Sequence, residues 1–198
     1  MTVTIDGTTG VSAVQDGVIT AADLASGAVT ADKIATGAVT QGITMAQQWQ
    51  PSANTSISNS GYTLINNWIE NPFATYSGIG SSMSHSSGTF TFPETGVYLV
   101  DFNINYFDNG NSKFVGAFIF TSTDSGSSYS IAAFSYGHIT YTAANTHESF
   151  ATKCIINVTD ASTYRLQFKA EAAEAVTLYA NSAYPITSAM FIRLGDAQ

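Results

Sequence analysis

Three histidines, one cysteine and a scatter of carboxylates are the groups in this sequence that could do chemistry. His85, His138 and His147 are too far apart to form a local metal motif, and His147-Glu148 lacks the second histidine of a zinc-binding helix. The region around His147-Glu148 reads as strand. His138 alternates with Phe134 and Tyr136, which suits a histidine on a sandwich face or interface. Cys154 alternates with Phe150, Thr152, Ile156 and Val158, so it reads as a small buried hydrophobe. A catalytic thiol would need an exposed, electropositive setting, and a lone cysteine forms no intrachain disulfide. There is no Gly-x-Ser-x-Gly elbow. Gly78-Ile79-Gly80 starts a dinucleotide-like pattern, but Met83 stands where the third glycine belongs and no helix follows.

The acids tell the same story. A glycosidase needs two positioned carboxylates. Asp101, Asp108, Asp124, Glu148 and Glu171 are available, but nothing in the sequence pairs them. A hairpin at Asp108-Asn109-Gly110-Asn111 would put Asp108 and Asp124 in adjacent loops, where oxygen ligands could hold a calcium ion. The plainer reading is a pair of acidic turn residues. The sequence therefore points to no catalytic residue, no metal site and no cofactor, and to a protein that is not an enzyme.

The aromatic residues carry more weight. Ten tyrosines and twelve phenylalanines in 198 residues exceed what one small core needs. Tyr129, Tyr141, Tyr179 and Tyr184 fall near expected loops or strand ends. They fit subunit interfaces, where tyrosine is enriched, or plain core and surface, or stacking on sugar rings.

The stretch that must position these groups runs from Thr89 to Tyr106. From Tyr98 onward, Val100, Phe102, Ile104 and Tyr106 alternate with Asp101, Asn103 and Asn105, as on a half-buried strand. Pro93-Glu94-Thr95-Gly96 before it is a turn, which Pro93 enters with fixed φ and Gly96 leaves with freedom to adopt positive φ. The spacing Phe90-x-x-Pro93-x-x-Gly96-x-Tyr98 resembles the signature of the C1q/TNF-like jelly roll. Ser188-Ala189-Met190-Phe191-Ile192-Arg193-Leu194 looks like that family's closing strand. Ala151 to Phe168 is similar to its paired strands around a Gly-Asp turn, with Thr159-Asp160-Ala161 at the turn and the glycine absent. The resemblance covers residues 46–198. It implies an all-β, antiparallel jelly-roll sandwich that works as a homotrimer.

Local patterns supply the other strands. Tyr62 to Ile69 reads as one strand, with Tyr62, Leu64 and Trp68 on one side and Ile65 and Ile69 on the other. Thr44 to Gln50 leads in, Pro51 to Gly61 is loop, and Phe73 to Gly88 is a long loop or short edge strand. Phe114 to Thr121 is apolar on both faces, as a central strand would be. Asp124-Ser125-Gly126-Ser127 turns the chain into Ile131 to Thr142. Ser149 to Val158 and Tyr164 to Ala170 are expected to pair across the Asp160 turn, and Val176 to Ala180 and Ser188 to Leu194 complete the set. That makes nine or ten strands at Greek-key spacing and no convincing helix.

Composition excludes several function classes. Charged residues make up only 10% of the chain, and Ser, Thr, Asn and Gly supply the polar surface, as on the wet faces of strands. The net charge is -8 and the six basic residues are scattered, so nucleic-acid binding through phosphates is not expected. The longest apolar runs are too short to span a bilayer, so no membrane insertion is expected. The first residues lack the basic and apolar regions of a signal peptide.

Residues 1–45 contain no aromatic residue and form an N-terminal segment apart from the head domain at 46–198. A ten-residue repeat begins at Gly17, Gly27 and Gly37, with Gly, Thr and Ala in register. Val14, Ile19, Leu24, Val29, Ile34 and Val39 recur every fifth residue, which is neither a helix nor a strand period. Each unit reads as a short extended piece and one helical turn, with Thr20 and Asp23 as a shortened capping box. One thin apolar line cannot bury itself. Three chains would bury it on a common axis, which makes these six residues the expected trimer axis of a stalk. The repeat and the Ile5-Asp6-Gly7-Thr8-Thr9-Gly10 opening look like stalk segments of bacteriophage tail-fibre and related virion proteins.

The resulting expectation is a homotrimeric fibre on the virion, at a tail or capsid surface and assembled in the host cytoplasm. Its N-terminal segment would meet other virion proteins and its head would bind a host surface glycan or protein. A decoration protein that only stabilises its neighbours, and a surface-glycan depolymerase, are the competing readings.

Overall fold

The computed structural model describes residues 5–6, 10–11, 26, 29, 42–59, 61–108, 110, 113–140, 142 and 146–198. The chain divides into two units, Met1–Gln41 and Gly42–Gln198. In the first, β1 (Ile5–Asp6) and β2 (Gly10–Val11) pair antiparallel. Among the six residues expected on a stalk axis only Val29 is described, and in the single chain it is 53% exposed. Val14, Ile19, Leu24, Ile34 and Val39 lie outside the described residues, and so does the turn-by-turn reading of the repeat.

The second unit is built from strands alone among the described residues. They are β3 (Met45–Pro51), β4 (Thr55–Ile57), β5 (Thr63–Leu64), β6 (Trp68–Glu70), β7 (Ser84–Ser86), β8 (Thr89–Thr91), β9 (Gly96–Asp108) and β10 (Lys113–Ser122). Then follow β11 (Ser130–Ile139), β12 (Thr146–Val158), β13 (Arg165–Ala172), β14 (Val176–Leu178) and β15 (Ser188–Gly195). One sheet runs β4-β14-β9-β15-β3-β6, with β12 along the other edge of β9. The second runs β11-β10-β13-β8-β7, with β5 also on β13. Every pairing is antiparallel, and the two sheets stack as a jelly-roll sandwich, as the sequence led us to expect.

Strand β9 carries the core. Tyr98, Val100, Phe102, Ile104 and Tyr106 are fully buried and face the second sheet. They meet Val115, Ala117 and Ile119 of β10, Leu166 and Phe168 of β13, and Ala189 and Phe191 of β15 in one cluster. Each large apolar side chain so buried contributes about 1.5–3 kcal/mol. The Pro93–Gly96 turn is held by Arg193 of β15, whose Nε donates to the Thr95 carbonyl at 3.0 Å. A Cβ on Gly96 would stand 2.5 Å from that Nε and 2.9 Å from the Gly195 carbonyl oxygen, so this position needs space.

Several local expectations are corrected. Ser149 to Val158 and Tyr164 to Ala170 do not pair, because β12 lies on β9 in one sheet and β13 on β10 and β8 in the other. The Asp160 turn is an arch between sheets, closed by Ser162 N donating to Asp160 Oδ1 at 2.9 Å. Asp108 to Asn111 is likewise no hairpin: β9 and β10 belong to different sheets. Tyr62 to Ile69 is two short strands in opposite sheets, and Ile65 and Trp68 are both buried where the chain crosses between them. Thr44 to Gln50 is no mere lead-in but strand β3, and a three-residue strand, β4, sits inside the expected 51–61 loop. These short pieces raise the strand count of this unit to thirteen among the described residues. The Asp124 turn does close a hairpin, β10 to β11, and β7 is an edge strand.

Candidate functional site

Among the described residues the titratable groups do not converge. His85 accepts from the Gly88 N–H at 2.8 Å and packs on Phe90, and burial lowers its pKa. His138 is exposed on β11, with Nδ1 3.2 Å from Thr140 Oγ1. His147 lies on β12 in the other sheet, 3.1 Å from Asn105 Oδ1 and against Phe107 and Tyr179. Cys154 is half-buried against the core, and desolvation pushes its thiol up to about 11.

Asp108 and Asp124 stand at opposite ends of β10, a strand of ten residues and so about 30 Å long. The shared calcium site that a β9–β10 hairpin would have made is ruled out by this separation. Asp108 instead meets Lys113 at 3.2 Å with both side chains nearly buried. Asp124 accepts from the Ser122 hydroxyl at 2.6 Å, and from the Ser128 hydroxyl at 2.6 Å and N–H at 3.0 Å. These bonds hold its carboxyl well below the usual range. Among the described residues no group of three His, Cys, Asp or Glu is placed to hold a metal ion.

What the fold does build is two surfaces. The first is the outward face of the β9 sheet. Ile155 lies opposite Leu99, Leu99 opposite Ile192, Ile192 opposite Ala46, and Ala46 bridges Ile79. Five aliphatic side chains thus form one row across β12, β9, β15, β3 and the adjoining bridge. Ile155 is 66% and Ile79 48% exposed in the single chain. In the next row Lys153 meets Asp101 at 2.7 Å, and beyond that the face is polar, with Asn103, Asn105 and Ser149.

The second surface is the outward face of the β10 sheet. Phe118 stacks on Phe134 across the β10–β11 pair, with ring centroids 5.6 Å apart. Tyr62 packs edge-on against Phe118 and Phe120, at 4.7 and 5.1 Å. Phe114 and Phe134 both lie edge-on to Tyr136. Phe118 is almost wholly covered, yet it belongs to this outer layer and not to the main core; Phe134 and Tyr136 above it are 55% and 54% exposed. Gly116 makes the layer possible, since a Cβ there would lie 2.7 Å from Phe118 and 2.8 Å from Tyr136. The Lys169 ammonium sits 4.2 Å over the Phe120 ring and 5.5 Å from that of Tyr129, an arrangement that favours a cation.

Three of the four tyrosines singled out in the sequence are described, and they lie apart. Tyr129 belongs to the β10 face, beside Lys169. Tyr179 packs on His147 and Phe107 at the end of β9. Tyr184 is exposed and near Phe73. Tyr141 lies outside the described residues. The structure does not bring Tyr129 together with the other two. Reading by alternation found Phe134, Tyr136 and His138 on one face, but it missed Phe114, Phe118, Phe120 and Tyr62. Because β10 is apolar on both faces, its outward ring residues look like core until β11 is laid beside them.

No protein-family model matches this sequence, and no curated protein does either. Solved structures do match. Eiger TNF from S. frugiperda superposes with a TM-score of 0.56 at 13% identity, covering 80% of this chain and 96% of that one. Murine APRIL superposes with a TM-score of 0.52 at 13% identity, covering 76% and 98%. The fold is a TNF-like jelly roll.

Proposed function

We propose that three copies of this chain form a virion fibre whose jelly-roll head binds the host cell surface. The observation that carries this reading is the aliphatic row Ile155-Leu99-Ile192-Ala46-Ile79, which lies open on one sheet of a TNF-like sandwich. An exposed apolar row of this kind is stabilised by a partner surface, and a second and third copy of the same chain supply one. The resemblance of residues 46–198 to trimeric C1q/TNF-like heads supports three copies. The ten-residue repeat ahead of the head supports the same symmetry, because its line of aliphatic residues also needs identical neighbours.

The role follows from chain order and chemistry. A repeat segment resembling phage stalks precedes a head that presents an open aliphatic row and an aromatic face, surfaces suited to binding. Three weak head sites on one particle bind a surface far more tightly than one does. The N-terminal segment then engages other virion proteins.

Light scattering on the purified full chain tests the assembly, with a mass of three subunits expected and a lone subunit overturning it. Pre-incubating host cells with the protein tests the role. Blocked particle adsorption is expected. A protein that coats the particle but leaves adsorption intact would instead be a decoration protein.

A further inference from the structure

The cations of this acidic chain are unevenly served. Lys113 meets Asp108, Lys153 meets Asp101, and Arg193 meets Asp196 and Glu94. Lys33 lies outside the described residues. The remaining two, Lys169 and Arg165, pair with no carboxylate among the described residues, and both are on β13. Four residues apart, they point to the same outward face, with Cα atoms about 13 Å apart. Arg165 makes one bond, from Nη1 to the Tyr164 carbonyl at 2.7 Å. Lys169 lies over Phe120 and beside Tyr129, and Gly126 brings the Tyr129 hydroxyl and the Arg165 stem to the same spot. In a chain of net charge -8, these two cations on an aromatic face outnumber the carboxylate beside them, Glu171, which accepts from the Tyr136 hydroxyl at 3.5 Å, and so favour a negatively charged partner.

We propose that this face binds an acidic oligosaccharide, a chain of sugars bearing carboxylates such as uronic or sialic acid. The apolar side of a sugar ring lies on the exposed ring of Tyr62, beside the half-buried Tyr129. Its carboxylate takes the Lys169 ammonium, and a carboxylate further along takes Arg165. Charge complementarity selects this ligand over a neutral glycan, and the exposed aromatic surface beside the cations selects a sugar over a simple anion. Partial desolvation already lowers the Lys169 pKa, so a bound carboxylate also relieves an existing cost. The proposal rests on reading this domain as a surface-binding head, and names the ligand class and the face.

The test is binding of the full chain to an array of matched oligosaccharides: oligogalacturonate against its carboxyl-reduced form, and sialyllactose against lactose. At least tenfold stronger binding to the acidic member of a pair is expected. Lys169→Gln and Arg165→Gln should each lose about tenfold, and Lys169→Arg should retain binding, with circular dichroism confirming the fold. Equal binding to acidic and neutral members, unchanged binding by Lys169→Gln, or no binding to any sugar overturns the proposal. A trimer that still blocks adsorption after Lys169→Gln would sink this site and leave the fibre reading standing. Failure of the wild-type chain to touch host cells would sink the fibre reading, whatever the array shows.

Discussion

The hydroxyl of Tyr106, on β9, donates to the carbonyl of Gly116, on β10, at 2.6 Å in the buried centre of the sandwich. It is a polar tie between the two sheets, and burial pushes the phenol well above its ordinary pKa. Tyr106→Phe keeps the ring and removes the donor, so this tie between the sheets is lost. A loss of about 0.5–1.5 kcal/mol is expected, read from urea unfolding at unchanged m-value.

Gly116 has a second duty on its other face. Gly116→Val would drive a branched side chain into Phe118 and Tyr136. The rings must then separate, at a cost of about 1–3 kcal/mol for overpacking. Near-UV circular dichroism should show the aromatic layer loosened, while Gly195→Ala, in open space, should leave the signal unchanged.

Ile155 and Ile34 separate the two routes to assembly. Ile155→Asp puts a charge at the most exposed end of the aliphatic row. It should dissociate heads made without the N-terminal repeat and weaken the whole trimer. Ile34→Asp should loosen the repeat segment and leave the head's unfolding transition where it was. Analytical ultracentrifugation reads both, and an unchanged mass for both variants would count against the shared-axis reading.

Asp124 should give the domain an acid-sensitive turn. Its folded pKa is lowered by the Ser122 and Ser128 bonds, so the unfolded chain takes up a proton at a higher pH than the folded one. The stabilisation is therefore complete above the unfolded value, near pH 4, and is lost as pH falls toward the folded value. Asp160, lowered by Ser162, acts in the same direction. Melting temperature should fall below pH 4, and Asp124→Asn should be less stable at pH 7 and show a shallower acid decline. An identical pH profile for the variant would contradict this.

The alternation of Tyr98 to Tyr106 was enough to establish the central strand and its buried face, because side chains on a strand change sides at every residue. Turn chemistry also marked where the chain reverses: at Pro93, Asp124 and Asp160. What local chemistry could not say is whether a reversal stays in one sheet or crosses to the other. The Asp124 turn closes a hairpin and the Asp160 turn an arch, yet both are short acidic turns closed by serines.

The sequence by itself determined that the head is all-β, which strand faces are apolar, and that the first residues repeat with a period of ten. Only the tertiary structure decided which strands are neighbours. That choice aligned Ile155, Leu99, Ile192, Ala46 and Ile79, drawn from five separate segments, into one row. It also laid Phe134 on Phe118 and left Lys169 and Arg165 with no ion pair among the described residues. The physical reason is that sheet register is set by long-range burial, while periodicity and turn residues act only on their own segment.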